Sequence, residues 1–246
     1  MKKILNGLLY RLGYRILPLN TPLQNAFKAQ EYLLGPSPVT IFDVGAHQGE
    51  TSLLYNKTFK SPSIYSFEPF PPSFEILKSS VKSFPNIKVF NTAISNFSGQ
   101  VDFHVNKSSA TNSILPTSGD GKKNWGENLL ETVETIKINS VTIDDFVEEF
   151  KIKAIDILKI DTQGTEYEVV EGAAKTIEQN KIRLIYLEII IVSTYEGQKY
   201  LDEILSLFRN KGFRLFNLYN FTHSDKGELK QVDAIFVHKS FDPFYK

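Results

Sequence analysis

From Thr40 onward, short apolar runs alternate with stretches of helical spacing. Ile41–Val44, Ile64–Phe67, Ile87–Asn91, Ala154–Ile160 and Arg183–Val192 read as strands. Near-continuous apolar runs bounded by polar turns suit strands buried on both faces. Between them, Thr51–Tyr55 opens a helix, and Ser73–Phe84 reads as a second that stops before Pro85. Glu166–Gln179 reads as a third. Gly197–Asn210 reads as a fourth, with Leu201, Ile204, Leu205 and Phe208 on one face and Gly212 as its stop. Phe213–Leu218 and Val232–Val237 close the chain as a hairpin-like pair. Such alternation predicts an α/β fold, a mostly parallel sheet with helices on both faces.

Two segments fall outside this rhythm. Residues 97–142 hold two strand-like runs, Gln100–Val105 and Thr132–Ile138, around a polar stretch with Ser108, Ser109, Asn112, Gly119, Gly121, Asn124 and Gly126. The expectation is a β-hairpin insertion with a mobile tip that serves as a lid or acceptor-binding element. Residues 1–38 form an N-terminal helical extension. Ile4, Leu5, Leu8, Leu9, Leu12 and Ile16 recur at helical spacing beside Lys2, Lys3, Arg11 and Arg15. A helix packed on the main domain is expected there, and a weak peripheral contact with anionic membrane is the alternative. Arg11 and Arg15 interrupt the apolar stretch, so it does not read as a secretory signal.

The chemistry concentrates where the first two strands end. Thr40 to Ser52 reads TIFDVGAHQGETS, and Tyr65 to Pro69 reads YSFEP. A glycine turn after one strand and an acid after the next suit a nucleoside cofactor, whose ribose hydroxyls the acid accepts. The dinucleotide pattern G-x-G-x-x-G is absent, and His47 stands where its second glycine would be. Asp43 puts a carboxylate where a pyrophosphate favours no anion. S-adenosylmethionine, which carries an ammonium, a sulfonium and a ribose but no phosphate, fits better. Asp43 is expected to hold the turn and, directly or through water, the cofactor ammonium. Gly45, Ala46 and Gly49 give backbone access, His47 meets the methionine carboxylate, and Glu68 with Pro69 takes the ribose. Ala93 and Ile94 line the adenine.

The quoted segments, with NTAIS-NFSG, ILKIDTQGTEYEVVEGA, YLEI and TYEGQ in order, resemble the FkbM-type S-adenosylmethionine-dependent methyltransferases over about Thr40 to Lys239. The KIDTQGTE block is the most family-specific piece. The resemblance implies a class I methyltransferase (Rossmann-like) seven-stranded sheet with an antiparallel final strand, and residues 39–246 as the catalytic domain. Family members more often carry Asn at the position of His47; many carry Glu at that of Gln163, where Gln is also familiar, and Thr165 replaces a commoner aromatic or Ala. The family's association with polyketide and surface-polysaccharide pathways implies a sugar acceptor.

Asp161 ends the apolar strand IDILKI, which places it near the transferred methyl and in contact with the cofactor. Methyl transfer to a hydroxyl asks for alignment and for removal of a proton. Glu188, embedded in LIYLEIII, is the candidate base, because burial raises a carboxyl pKa. A salt bridge to Lys159 or hydrogen bonds to a neighbouring turn are its structural alternative. His223, between the last two strands, is a further candidate base. His104 and His238 read as structural, and Glu166 as a helix cap.

The remaining composition removes classes. Lys+Arg and Asp+Glu both number 28, so no basic footprint points to nucleic acid. Cysteine is absent, which excludes disulfides and thiolate metal sites. No run is long enough to span a bilayer; the longest, IRLIYLEIIIV, is interrupted by Glu188. A cytoplasmic location is the expectation. Asp161 and Glu188 offer oxygen ligands, but no dense carboxylate cluster or H-x-x-H spacing points to a metal. The leading reading is an O-methyltransferase acting on a hydroxyl of a small-molecule or glycan acceptor. A methyltransferase-fold module without turnover and a nucleotide-dependent oxidoreductase stand as alternatives.

Overall fold

A computed structural model describes residues 21–242. The expected amphipathic stretch from Ile4 to Ile16, and any membrane contact it makes, lies outside them. The extension's described part holds helix α1 (Ala26–Leu34), capped by the Asn25 side chain, which accepts from Lys28 N at 3.0 Å.

The central sheet follows from the apolar runs. β1 (Thr40–Val44), β2 (Ser63–Phe67) and β3 (Ile87–Phe90) are joined by α2 (Glu50–Thr58) and α3 (Pro71–Ser80). Farther on come β7 (Ile155–Ile160), β8 (Ile182–Ile190), β9 (Phe213–His223) and β10 (Leu229–His238). The order is β3-β2-β1-β7-β8-β10-β9, with β10 antiparallel to both neighbours and the β3-to-β8 pairings all parallel. All six residues of β7 are buried. That explains its largely apolar sequence, broken by Asp156 and Lys159, since a central parallel strand has no solvent face.

Each face of the sheet carries its own core. On one face, Ala26, Tyr55 and Leu77 from α1, α2 and α3 pack against Ile41, Ile64 and Ile157. On the other, α6 (Ile143–Glu149), α7 (Glu166–Glu171), α8 (Ala174–Glu178) and α9 (Leu201–Asn210) pack Phe146, Val169, Ile177 and Ile204 against Phe42, Leu158 and Ile185.

The insertion differs from a bare hairpin. β4 (Ala93–Ile94) pairs parallel with β6 (Thr132–Val141), which pairs antiparallel with β5 (Gly99–Asn106), giving a three-stranded sheet. Its tip, expected to be mobile, is folded. It carries a 3-10 turn (Ser109–Thr111), α4 (Gly119–Trp125) and α5 (Glu127–Leu130), and it is docked. Trp125 Nε1 donates to Thr194 Oγ1 at 2.8 Å, Lys230 Nζ lies 4.1 Å from the Trp125 ring centroid, and Ser113 Oγ donates to the Gln163 carbonyl at 2.7 Å. Residues that read as turn formers instead bring the backbone close: a Cβ on Gly121 would lie 2.2 Å from the Thr194 carbonyl.

Candidate active site

A cavity opens over the carboxyl ends of β1, β2 and β7, where ligands lie in sheets of this kind. The turn after β1 is fixed by packing. Gly45 has φ 75°, and a Cβ there would lie 1.8 Å from the Asp161 carbonyl. Glycine is needed because β7 comes close, beyond any need for ligand access. Gly45 N and Ala46 N both donate to the Phe67 carbonyl at 3.0 Å, tying the turn to β2. His47 has φ 47°, a left-handed conformation in which Asn, Asp and His are enriched. The frequent Asn of the family pattern meets the same backbone demand. Gly45, Ala46 and His47 line the cavity. Gly49 does not: with φ 98° it caps α2, and a Cβ there would lie 2.9 Å from Leu77 Cδ1.

Glu68 is buried at the end of β2 and lines the cavity with Pro69. Its Oε2 accepts from His47 N and its Oε1 from Phe70 N, both at 2.9 Å. Burial pushes its pKa up to about 7, against the lowering by those two N–H groups and by Lys159. Each carboxylate oxygen keeps acceptor capacity for a hydroxyl. Ala93 and Ile94 form an apolar wall with Phe67, Phe103 and Ile114.

Asp43 anchors the turn, as expected, but is not in direct reach of the cavity. Its side chain is fully buried beneath the turn and does not line the cavity. Oδ2 accepts from Ser52 Oγ at 2.6 Å, and Oδ1 lies 3.2 Å from Lys159 Nζ. Lys159 also donates to the Gly45 carbonyl at 3.0 Å and lies 3.6 Å from Asp161 Oδ2. Burial alone would lower the Lys159 pKa, but Asp43 and Asp161 outweigh it and hold the ammonium well above its ordinary range. One cation thus binds β1, its turn and Asp161 together. The sequence had offered Lys159 as a partner for Glu188; its bridges go to Asp43 and Asp161 instead.

Asp161 lies between two cavities and lines both. The second is lined by Phe27, Glu50, Thr51, Leu54, Tyr186, Glu188 and Asp233 beside Lys159, Ile160 and Asp161. Gln163 joins the acids: its Nε2 donates to Asp161 Oδ1 and to Glu188 Oε2, each at 2.9 Å. Gln163 sits at φ 56°, and Tyr195 OH donates to its Oε1 at 3.0 Å. The other oxygen of Glu188 accepts from Gln231 Nε2. Burial, reinforced by the charges of Asp161, Asp233 and Glu166, pushes the Glu188 pKa well above the usual carboxylate range. Glu166 is a buried cap of the β7–α7 turn, accepting from Thr162 N and Gly164 N. Burial raises its pKa to about 7.

His223 is not brought to this cluster. It is exposed at the end of β9, the outermost strand, two strands from β8, and it lines neither cavity. An edge strand carries its terminus to the rim of the molecule rather than to its centre. His104 lies in β5 and His238 is buried at the end of β10. Among the described residues no group of three His, Asp or Glu side chains is set to hold a metal.

Residues 43–215 match the Methyltransferase FkbM domain family. The chain belongs to this family. It is similar to the 2-O-methyltransferase NoeI of Sinorhizobium fredii (strain NBRC 101917 / NGR234), at 28% identity over 70% of this chain and 71% of that protein. It is also similar to the 31-O-demethyl-FK506 methyltransferase FkbM of Streptomyces tacrolimicus, at 26% over 70% and 72%. A crystal structure of methyltransferase FkbM from Methylobacillus flagellatus KT shares the fold, with a TM-score of 0.50 and 15% identity, over 82% of this chain. The chain spans less than half of that protein's chain, 44%. The chain is thus a class I methyltransferase that uses S-adenosylmethionine, which sets aside the oxidoreductase and the module without turnover.

The residues present fit the cofactor. The apolar wall takes a flat base, and a buried carboxyl on the Glu68 side chain waits for hydroxyl donors. When bound, the cofactor would supply an electrophilic methyl on a good leaving group.

Several lining residues were not singled out in the sequence: Lys159 as an organiser, Gln163, Tyr186, Asp233, and Ser109 and Asn112 from the insertion. Lys159 carried a signal, being one of two charges, with Asp156, inside the largely apolar run IDILKI. Asp233 and Tyr186 carried none, since their meeting depends on the antiparallel pairing of β10 with β8.

Proposed function

We propose that this chain transfers the methyl group of S-adenosylmethionine to a hydroxyl oxygen of a small-molecule or glycan acceptor, specifically a sugar, seated in the second cavity. One observation carries the reading: Asp161 is shared by the cofactor cavity and a neighbouring cavity whose wall holds Glu188 and Asp233. Carboxylates accept hydrogen bonds from hydroxyls, and the Phe27 and Tyr186 rings give a ring-shaped acceptor an apolar contact. Two of the relatives are named for methyl transfer to oxygen, which supports the same acceptor atom here. In this reading Asp161 orients the reacting hydroxyl, Gln163 holds Asp161 and Glu188 in register, and Glu188 in its ionised form takes the proton.

Mono- and oligosaccharides offered with S-adenosylmethionine should gain one methyl mass on oxygen. With an acceptor so identified, Glu188→Gln should keep S-adenosylhomocysteine affinity while kcat falls about 10²–10⁴-fold, the usual loss on removing a general base; Asp161→Asn, on the wall of both cavities, should lower kcat as well. The parent kcat should rise with pH through a value above the usual carboxylate range, because only the ionised base accepts a proton. Methylation of nitrogen or carbon in place of oxygen would refute the reading, as would a Glu188→Gln variant with the parent rate.

A further inference from the structure

We infer that Tyr195, in the loop after β8, is a positioning residue for the proton-accepting pair: its hydroxyl fixes the side-chain amide of Gln163 so that both amide hydrogens face Asp161 and Glu188. The role follows from the reading of Glu188 as the base.

Thr194 to Gln198, TYEGQ, lie in that loop. Gln198 closes it on itself: its Oε1 accepts from Thr194 N at 2.9 Å and Tyr195 N at 2.8 Å, and its Nε2 donates to the Val192 carbonyl at 3.1 Å. The Tyr195 ring is 2% exposed and packs on the turn after β7, where a Cβ on Gly164 would lie 3.0 Å from Tyr195 Cδ2. The ring is thereby held beside Gln163.

The hydroxyl lies within hydrogen-bond distance of two carbonyl oxygens, Thr111 O at 2.9 Å and Gln163 Oε1 at 3.0 Å. A phenol has one proton to give. The Thr111 carbonyl already accepts from Asn106 Nδ2 at 2.7 Å, whereas no other donor among the described residues reaches Gln163 Oε1. Donation to Gln163 therefore satisfies both oxygens, and donation to Thr111 leaves one without a donor. Burial, with the charges of Glu166, Glu188 and Asp161, raises the Tyr195 pKa, so the proton stays on the phenol.

With its oxygen so engaged, the amide presents its hydrogens to Asp161 Oδ1 and Glu188 Oε2, each at 2.9 Å. Turned over, it would set its oxygen against two carboxyl oxygens and deprive the ionised Glu188 of a donor. A donor to the charged form favours that form, so Tyr195 acts through Gln163 to hold the Glu188 pKa down against its burial. Lys159 and Asp161 on β7, Glu166 on α7, Tyr186 on β8, Asp233 on β10 and Glu50 on α2 also face Glu188 or its cavity, and all stay in place in the variants that test the role.

Tyr195→Phe keeps the ring and removes only the hydroxyl. The readout is the titration of the Glu188 side chain, followed by NMR of the carboxyl carbon in glutamate-labelled protein and assigned through Glu188→Gln. Tyr195→Phe should raise the Glu188 midpoint by about one pH unit, a tenfold change in proton affinity. Gln163→Met, which removes the amide, should raise it at least as far, and adding Tyr195→Phe to Gln163→Met should change nothing further. A merely structural tyrosine would lower the melting temperature and leave the midpoint where it is, or move it equally in both backgrounds. A parent-like midpoint in Tyr195→Phe or in Gln163→Met, or an equal shift with and without Gln163, overturns the inference. The titration needs no acceptor, so its failure is separate from that of the proposed methyl transfer, which the product mass decides.

Discussion

At the scale of single residues, the proton on Glu68 is the variable near neutrality. Burial raises its pKa to about 7, while the His47 and Phe70 amides favour the ionised form. Ribose hydroxyls donate to the carboxylate better than to the acid, since charge-assisted bonds are about twice as strong as neutral ones. Cofactor binding therefore takes up the ionised form, and S-adenosylhomocysteine affinity should increase as pH rises from 6 to 8, through about 7. Glu68→Gln should bind more weakly, at a level that does not change over that range. A parent whose affinity is flat with pH, by calorimetry, would show that the carboxyl does not meet the ligand. At the same scale, the family pattern at His47 becomes intelligible. Its left-handed backbone, visible only in the fold, narrows the residue to a few types and leaves the side chain free to differ.

At the scale of elements, two departures from the sequence pattern have local causes. The stretch from Glu166 to Gln179 reads as one helix but is two, α7 and α8. A Cβ on Gly172 would lie 2.0 Å from the Ser95 carbonyl, so the chain there accommodates the loop after β4, and Asp144 from α6 caps α8 by accepting from Lys175 N and Thr176 N. The helix α6 itself carried a legible signal: Thr142 accepts from Asp145 N, and Ile143, Phe146, Val147 and Phe150 recur at helical spacing. It begins directly after the segment read as insertion, in a stretch to which no element was assigned. The tip of that insertion is anchored chiefly through Trp125, between Thr194 and the Lys230 ammonium. Trp125→Ala should raise amide exchange across residues 107–131 by about tenfold or more, equivalent to about 1.4 kcal/mol, while β7 keeps its protection. Parent-like exchange in that segment would mean that the docking rests elsewhere.

At the scale of the whole molecule, one aromatic group ties the site-bearing strands to the helices beneath them. Phe146 packs edge-on against Phe67 at 4.8 Å and Phe90 at 4.9 Å, and also meets Phe42, Tyr65 and Phe150. These rings belong to β1, β2, β3 and α6, so their packing sets the spacing on which the cavity depends. Phe146→Ala should destabilise the fold by about 3–5 kcal/mol, the usual cost of emptying a buried ring's place. Denaturant titration should show a lower midpoint with an unchanged slope. A loss below about 1 kcal/mol would show that the neighbouring rings close the gap.

The sequence by itself determined the strand sequence of the sheet, the turn Asp43 to Gly49, the acid Glu68 after β2 and the family. These depend on short-range patterning: apolar runs, glycine placement, and the distance between one strand end and the next. The tertiary structure decided what each polar group meets. Asp43 became an internal anchor because Lys159 lies in the adjacent strand β7, and register across a sheet is not written in either strand alone. Asp161, Gln163, Glu188 and Gln231 became one hydrogen-bonded set because β7, β8 and β10 are neighbours, although the first and last are 70 positions apart. His223 was left at the rim for the same reason, since strand order rather than chain position decides which loop overhangs the cavity. The long insertion folds back on the turns after β1 and β7, and it brings Ser109 to a site that its own sequence does not announce.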